Sequence, residues 1–90
     1  MNISYTDFTQ AVETLGLISL SSKQKVRKRY LELSKKHHPD MPKGDMVKFQ
    51  SINKAYEILS FYMDNFRYTF SKDEFEDQFP FGIAQTDWIV

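Results

Sequence analysis

The sequence predicts an all-α fold: a hairpin of two antiparallel helices, with a short first helix before it and an aromatic C-terminal helix or tail after it. Apolar residues recur at helical spacing over residues 26–37 and again over residues 49–59. Pro39 ends the first run, because its ring removes a backbone donor and disfavours the α region for His38. The segment 41–45 between the runs contains a proline and a glycine, which favours a short connection with an exposed turn.

A first helix is predicted over residues 5–15, where apolar side chains are spaced by three and four. Ser4 or Thr6 is placed to cap its N-terminus. Gly16 follows its last apolar residue, and a left-handed glycine commonly ends a helix. The core face of the three helices is then predicted to comprise Phe8, Ala11, Val12, Leu15, Val26, Tyr30, Leu33, His37, Phe49, Ile52, Tyr56 and Leu59.

Polar residues indicate where the later helices begin. Ser21 and Gln24 have the spacing of a capping box, so the second helix is predicted to begin near Ser22. Asp45 suits the N-cap of the third helix, because its carboxylate accepts backbone amides and complements the helix dipole. The aromatic part of the chain that follows predicts a fourth helix over residues 62–70.

The composition predicts one small monomeric domain. Ninety residues are enough for a core of three or four helices but not for a second domain. The chain has no cysteine, which excludes a disulfide framework and a thiolate metal site and agrees with a reducing compartment. It has no apolar run of membrane-spanning length and no leader pattern at its N-terminus. We therefore expect a cytoplasmic protein that does not enter the membrane.

The formal charge is zero, but it is unevenly distributed. Residues 22–40 carry seven Lys and Arg against two acids, a net charge of +5, whereas residues 61–90 carry two bases against six acids, a net charge of −4. A basic helix on a neutral chain favours one acidic docking surface on a protein partner. Nucleic-acid binding usually requires a strongly basic domain, so no nucleic-acid partner is expected.

Two stretches together resemble a known family. Residues 30–40 read YLELSKKHHPD, and residues 48–59 read KFQSINKAYEIL. The His-Pro-Asp triplet, with a basic helix before it and this apolar pattern after it, resembles the J domain of DnaJ-type co-chaperones. The resemblance implies a J domain over residues 1–65, followed by an aromatic and acidic extension over residues 66–90.

The resemblance also implies a function. A J domain binds a DnaK-type heat-shock chaperone and stimulates its ATP hydrolysis. We do not expect the chain itself to be an enzyme, because it has no cysteine, no phosphate-binding glycine loop and no nucleophile–base arrangement. No cofactor or metal is expected. The family commonly has a basic residue at one or both of Leu31 and Glu32, and often at Met41, which weakens the expected positive field. The partner-binding residues implied by matching position are His38, Pro39, Asp40, Lys36, Lys35, Tyr30, Arg27, Lys28 and Asn53.

Other interpretations of the turn remain open at this point. His38, Pro39 and Asp40 are ordinary residues for a helix stop. His37, His38 and Asp40 are three potential metal ligands within four residues, but no fourth ligand is evident. The whole chain could also be a J-like module that binds a partner without activating it, or a small helical DNA-binding module.

The C-terminal extension has three interpretations. Its aromatic side chains cover the core and stabilise a small domain. Alternatively, its acidic residues 73–77 lie against the basic helix and compete with the chaperone. The third interpretation is that residues 79–88 dock onto another protein.

Overall fold

The computed structural model describes residues 2–79, which form four helices and no strand. These are α1 (Tyr5–Leu15), α2 (Lys23–His37), α3 (Met46–Asp64) and α4 (Lys72–Gln78). The predicted all-α class is therefore confirmed. Within the same described range, no helix combines the length and the apolar character that crossing a membrane would require.

Helix α1 has the predicted bounds, and its cap is Ser4. The Ser4 hydroxyl accepts the Asp7 amide at 3.1 Å, and the Asp7 carboxylate accepts the Ser4 amide at 3.3 Å, which completes a capping box. Gly16 ends the helix with φ +62°, and its amide donates to the Glu13 carbonyl. Both ends of α1 are thus fixed by local sequence.

Helix α2 begins one residue away from the predicted capping box. Its N-cap is Ser22, whose hydroxyl accepts the Lys25 amide at 3.2 Å. Ser21 instead donates its hydroxyl to the Ile18 carbonyl in the preceding turn, so the capping box predicted from Ser21 and Gln24 is wrong. The C-terminal end of α2 is at His37, as the proline predicts.

Helix α3 begins after Asp45, as predicted, but it runs through Asp64. The predicted helix over residues 62–70 is therefore wrong. The Asn65 side chain donates to the Phe61 carbonyl at 2.8 Å and ends α3, because asparagine competes with the backbone for hydrogen bonds. A new helix starts only after Ser71, whose hydroxyl accepts the Glu74 amide at 3.1 Å.

Helix α3 lies at the centre of the bundle and packs against both α1 and α2. Contacts between α2 and α3 pair early residues of one with late residues of the other: Lys23 bonds to Asp64, Tyr30 to Asn53, and the His38 ring contacts Phe49. The two helices are therefore antiparallel, as predicted. The buried core consists of Ala11, Leu15, Val26, Ile52, Ala55, Ile58 and Leu59.

The aromatic residues from Tyr62, in the last turn of α3, to Phe79 are exposed in the described part of the chain and add nothing to the buried core. Their rings contact one another in sequence, from Tyr62 to Phe66 at 5.8 Å and from Phe66 to Tyr68 at 5.1 Å between centroids. The first of them also reaches α1, since the Tyr62 ring lies 4.7 Å from the Phe8 ring. These rings line a groove instead of closing the core.

Two acidic residues of α4, Glu74 and Glu76, make local contacts. The Glu74 carboxylate accepts the amides of Thr69 and Phe70, and Glu76 lies 3.7 Å from Lys72. Between residues 2 and 79, no ion pair joins α4 to α2. The contact that autoinhibition by these acids would need is therefore not formed in this part of the chain. The predicted docking segment, residues 79–88, lies outside the described residues except for Phe79.

Candidate functional site

The His-Pro-Asp tip, formed by His38, Pro39 and Asp40, lies at the end of the α2–α3 hairpin. Its backbone leaves the helix at once, since His38 has φ −57° and ψ 136°, the extended conformation that a following proline favours. The His38 side chain is about half exposed, and the Asp40 side chain is almost fully exposed. The sequence thus places both polar groups at the protein surface, on either side of a rigid ring.

Backbone hydrogen bonds close the loop behind the tip. The Met41 amide donates to the His38 carbonyl at 2.9 Å, and the Gly44 amide donates to the Met41 carbonyl at 2.8 Å. The Asp45 amide then donates to the His37 carbonyl at 3.2 Å, which joins the end of α2 to the cap of α3. The short loop is therefore held at both helix ends.

Gly44 packs directly against the backbone of the tip. A Cβ atom at this position would lie 1.9 Å from the His38 carbonyl oxygen and 3.0 Å from the Pro39 Cα. The first distance is far inside van der Waals contact, the second is unusually tight, and both obstructing atoms belong to the backbone. Only glycine leaves room for the tip to keep this conformation.

Two contacts orient the His38 ring. Its edge meets the Phe49 ring of α3 with 5.0 Å between centroids. Its Nδ1 accepts the Asp40 backbone amide at 3.1 Å, which places the proton of the neutral ring on Nε2. The Asp40 carboxylate lies 3.6 Å from the same Nδ1. The tip thus presents an N–H donor on a half-exposed ring beside a carboxylate acceptor.

A basic surface runs along α2 towards the tip. We define it by Arg27, Lys28, Lys35 and Lys36, which are exposed and form no ion pair with any acid among residues 2–79. Glu32, on the same helix, pairs with Arg29 at 3.6 Å. Lys35 and Lys36 occupy the last turn of α2, where cations complement the helix dipole.

Tyr30 and Asn53, also implied as partner-binding residues, contact each other. The Tyr30 hydroxyl donates to Asn53 Oδ1 at 3.0 Å, and the Tyr30 ring stacks on Tyr56 with 4.1 Å between centroids. Both side chains are partly buried between α2 and α3. In this position they fix the spacing of the two helices that carry the tip and the basic surface.

The three potential metal ligands do not converge. Within residues 2–79, no group of three or more His, Cys, Asp or Glu side chains could hold a metal ion. His37 is partly buried, and loss of solvation lowers its pKa, which Lys48 and Lys36 lower further. The lowered pKa favours the neutral form of the His37 ring.

Sequence reasoning missed two supports of the tip. Phe49 was predicted as a core residue, but its ring also packs against the His38 ring. Gly44 was predicted only as a loop residue, but it packs against the backbone of the tip. A shallow depression of about 450 Å³ beside the tip was also missed. The residues that line it are Ser34, Lys35, His38, Met41 and Phe49.

Comparisons with known proteins identify the family. The model of the DnaJ domain matches residues 11–65, which include the tip and both helices of the hairpin. The chaperone protein DnaJ of Staphylococcus aureus is 44% identical over 74 residues, covering 80% of this chain and 18% of the relative. The proteins of the same name from strains JH1 and Mu3 are 43% identical over the same length and with the same coverage.

The chain spans less than a fifth of the length of these curated relatives. No solved structure matches it. The family match nevertheless covers more than half of the chain and contains the His-Pro-Asp tip with its supporting helices. This chain therefore belongs to the DnaJ domain family.

Proposed function

We propose that this chain is a co-chaperone J domain that binds a DnaK-type heat-shock chaperone and stimulates its ATP hydrolysis through the His-Pro-Asp tip. The observation that carries the proposal is the presentation of this tip on a closed loop at the end of the hairpin. Family membership supports the kind of partner. The proposed active unit is residues 1–65, and residues 66–90 form an extension of it.

On this proposal the tip recognises the partner and carries out no chemistry. The His38 ring is held by the Asp40 amide and by Phe49, so it offers a fixed N–H donor and not a base aimed at a nucleophile. The nucleotide and its hydrolysis belong to the chaperone. The chain contributes a preorganised donor and carboxylate, which lowers the entropy lost on binding.

The decisive test is single-turnover ATP hydrolysis by a purified DnaK-type chaperone, with and without this chain. We expect the wild type to accelerate hydrolysis and His38→Gln to abolish the acceleration, because glutamine loses the ring contact with Phe49 and the defined Nε2 donor. His37→Gln is the matched control: the same substitution one residue earlier changes a side chain that is partly buried and leaves the tip intact.

The possible results separate the proposal from its alternatives. Equal acceleration by the wild type and His38→Gln would show that the tip is not the activating element. Binding without acceleration, with a folded sample by circular dichroism, would identify a J-like module that does not activate. Absence of both binding and acceleration would overturn the proposal.

The basic surface is proposed to steer association with an acidic surface of the chaperone. The double variant Lys35→Glu, Lys36→Glu reverses two charges in the last turn of α2 that form no ion pair within the described residues. We expect its affinity to fall by about tenfold or more, roughly 1.4 kcal/mol per tenfold, mainly through a slower association rate. Biolayer interferometry at low and high salt measures this, and the difference between wild type and variant should shrink as salt screens the charges.

Lys72→Glu is the control for general charge effects. Lys72 is exposed on α4, so the substitution changes the net charge by the same amount per residue at a site outside the basic surface. It should leave the association rate unchanged. If Lys72→Glu slowed association as much per reversed charge as the double variant does, the effect would come from overall charge. The proposed role of the basic surface would then be wrong.

A further inference from the structure

A concave apolar groove lies at the opposite end of the hairpin from the His-Pro-Asp tip. This aromatic groove has a volume of about 930 Å³, near the upper end of the roughly 300–1,000 Å³ usual for ligand pockets. Lys23, which bonds to Asp64 at the far end of the hairpin, lines this groove. We define the groove by its principal apolar lining, Phe8, Leu20, Tyr62, Phe66, Phe70 and Phe75.

The apolar lining of the groove is unusually exposed. Leu20 is 64% exposed and Phe70 is 89% exposed, and Ile18 and Tyr68 are also largely open to solvent. Contiguous apolar surface of this kind marks a place where another apolar element binds.

Two residues of the groove also carry backbone strain. Leu20 has φ +62° and Phe70 has φ +55°, a left-handed conformation that side chains other than glycine rarely adopt. Such outliers persist where surrounding contacts hold them. The Phe70 amide is held by the Glu74 carboxylate at 2.9 Å, so its ring is kept at the groove while almost wholly exposed. The strain and the exposure coincide on the same two residues.

We propose that the aromatic groove is the binding site for residues 80–90 of this same chain. Phe79 itself lines the groove, so the segment that follows starts at the site. Phe81, Ile83, Trp88, Ile89 and Val90 make this segment strongly apolar, and Asp87 is its only charged side chain.

Tethering favours this segment over any other occupant. A segment joined directly to the edge of its site acts at an effective concentration in the millimolar range, which a free peptide or a second copy of the chain would have to exceed. The large aromatic side chain of Trp88 would bury apolar surface at the rings that now face solvent. Because the groove and the tip lie at opposite ends of the hairpin, occupancy of the groove leaves the tip free to bind the chaperone.

Trp88 provides the test, since it is the only tryptophan of the chain. In the full chain at submicromolar concentration, we expect its emission to be blue-shifted relative to the unfolded chain and protected from quenching by acrylamide. Leu20→Asn should shift the emission to that of exposed tryptophan and remove the protection. Asparagine tolerates the left-handed backbone, so this variant keeps the turn and loses only the apolar side chain.

Ile18→Ser is a second groove variant and should have the same effect, whereas Val47→Ser changes an equally exposed residue of α3 outside the groove and should leave Trp88 unchanged. Emission typical of exposed tryptophan in the wild type would overturn the proposal. If the blue shift of the Trp88 emission were lost on dilution, the occupant of the groove would be a second copy of the chain. If the blue shift persisted in both groove variants, residues 80–90 would bind elsewhere. Either of these results also overturns it.

Discussion

Gly44→Ala is expected to abolish the stimulation of the chaperone while leaving the helices folded. The new methyl group would meet the His38 carbonyl oxygen at 1.9 Å, so the backbone of the tip must move and the hydrogen bond from Met41 to that carbonyl must break. We expect acceleration of ATP hydrolysis to fall to the level of His38→Gln. The cost in stability should be about 1–3 kcal/mol, since the buried core does not involve this loop.

Gly16→Ala is the matched control for this substitution. Gly16 adopts φ +62° at the end of α1, and a Cβ there would lie 3.5 Å from the nearest side-chain atom, an ordinary contact. The left-handed backbone alone should cost about 1–2 kcal/mol. The control thus loses a similar amount of stability and keeps full stimulation. If both variants lost stimulation equally after correction for the folded fraction, the role of Gly44 in shaping the tip would be refuted.

The sequence predicted most reliably those features that short-range chemistry determines. Pro39 ended α2 at His37, Asp45 capped α3, and Gly16 ended α1, because each effect acts within one turn of helix. The antiparallel hairpin followed from the short loop between two apolar runs. The exposed position of the His-Pro-Asp tip followed from the same two facts.

Features that depend on competition or on distant contacts were predicted less well. Ser21 and Ser22 are both good caps, and the choice between them depends on the bond of Ser21 to the preceding turn. The helix expected over residues 62–70 failed because Asn65 ended α3 earlier than the apolar pattern indicated. An apolar pattern identifies hydrophobic side chains, but it does not distinguish those buried in a helix interface from those that line an exposed groove.

The supports of the candidate site illustrate the same limit. Phe49 matched the apolar pattern of the core, and only the fold shows that its ring packs against the His38 ring. Gly44 read as a permissive loop residue, whereas its importance lies in contact with a backbone that is six residues away in sequence. Tyr30 and Asn53 come from different helices, so their mutual hydrogen bond could not be found from either stretch alone.

Ile52→Ala is expected to lower the stability more than any of the substitutions described above. Ile52 is 1% exposed on the central helix α3, which packs on both α1 and α2. Removing its side chain should cost about 2–5 kcal/mol through lost burial and the cavity left behind. A domain of this size has a total stability of roughly 5–13 kcal/mol, so the loss is a large fraction of it. The melting temperature should fall by about 4–8 °C per kcal/mol.

Val47→Ala controls for truncation of an aliphatic side chain on the same helix, because Val47 is 73% exposed and its loss should change stability by less than about 0.5 kcal/mol. Thermal unfolding followed by circular dichroism measures both variants. Because Ile52 supports the hairpin without touching the tip, its variant should stimulate the chaperone normally at temperatures where it remains folded. A loss of stimulation in folded Ile52→Ala would mean that core packing also sets the geometry of the tip. Equal melting temperatures for Ile52→Ala and Val47→Ala would contradict the central position assigned to α3.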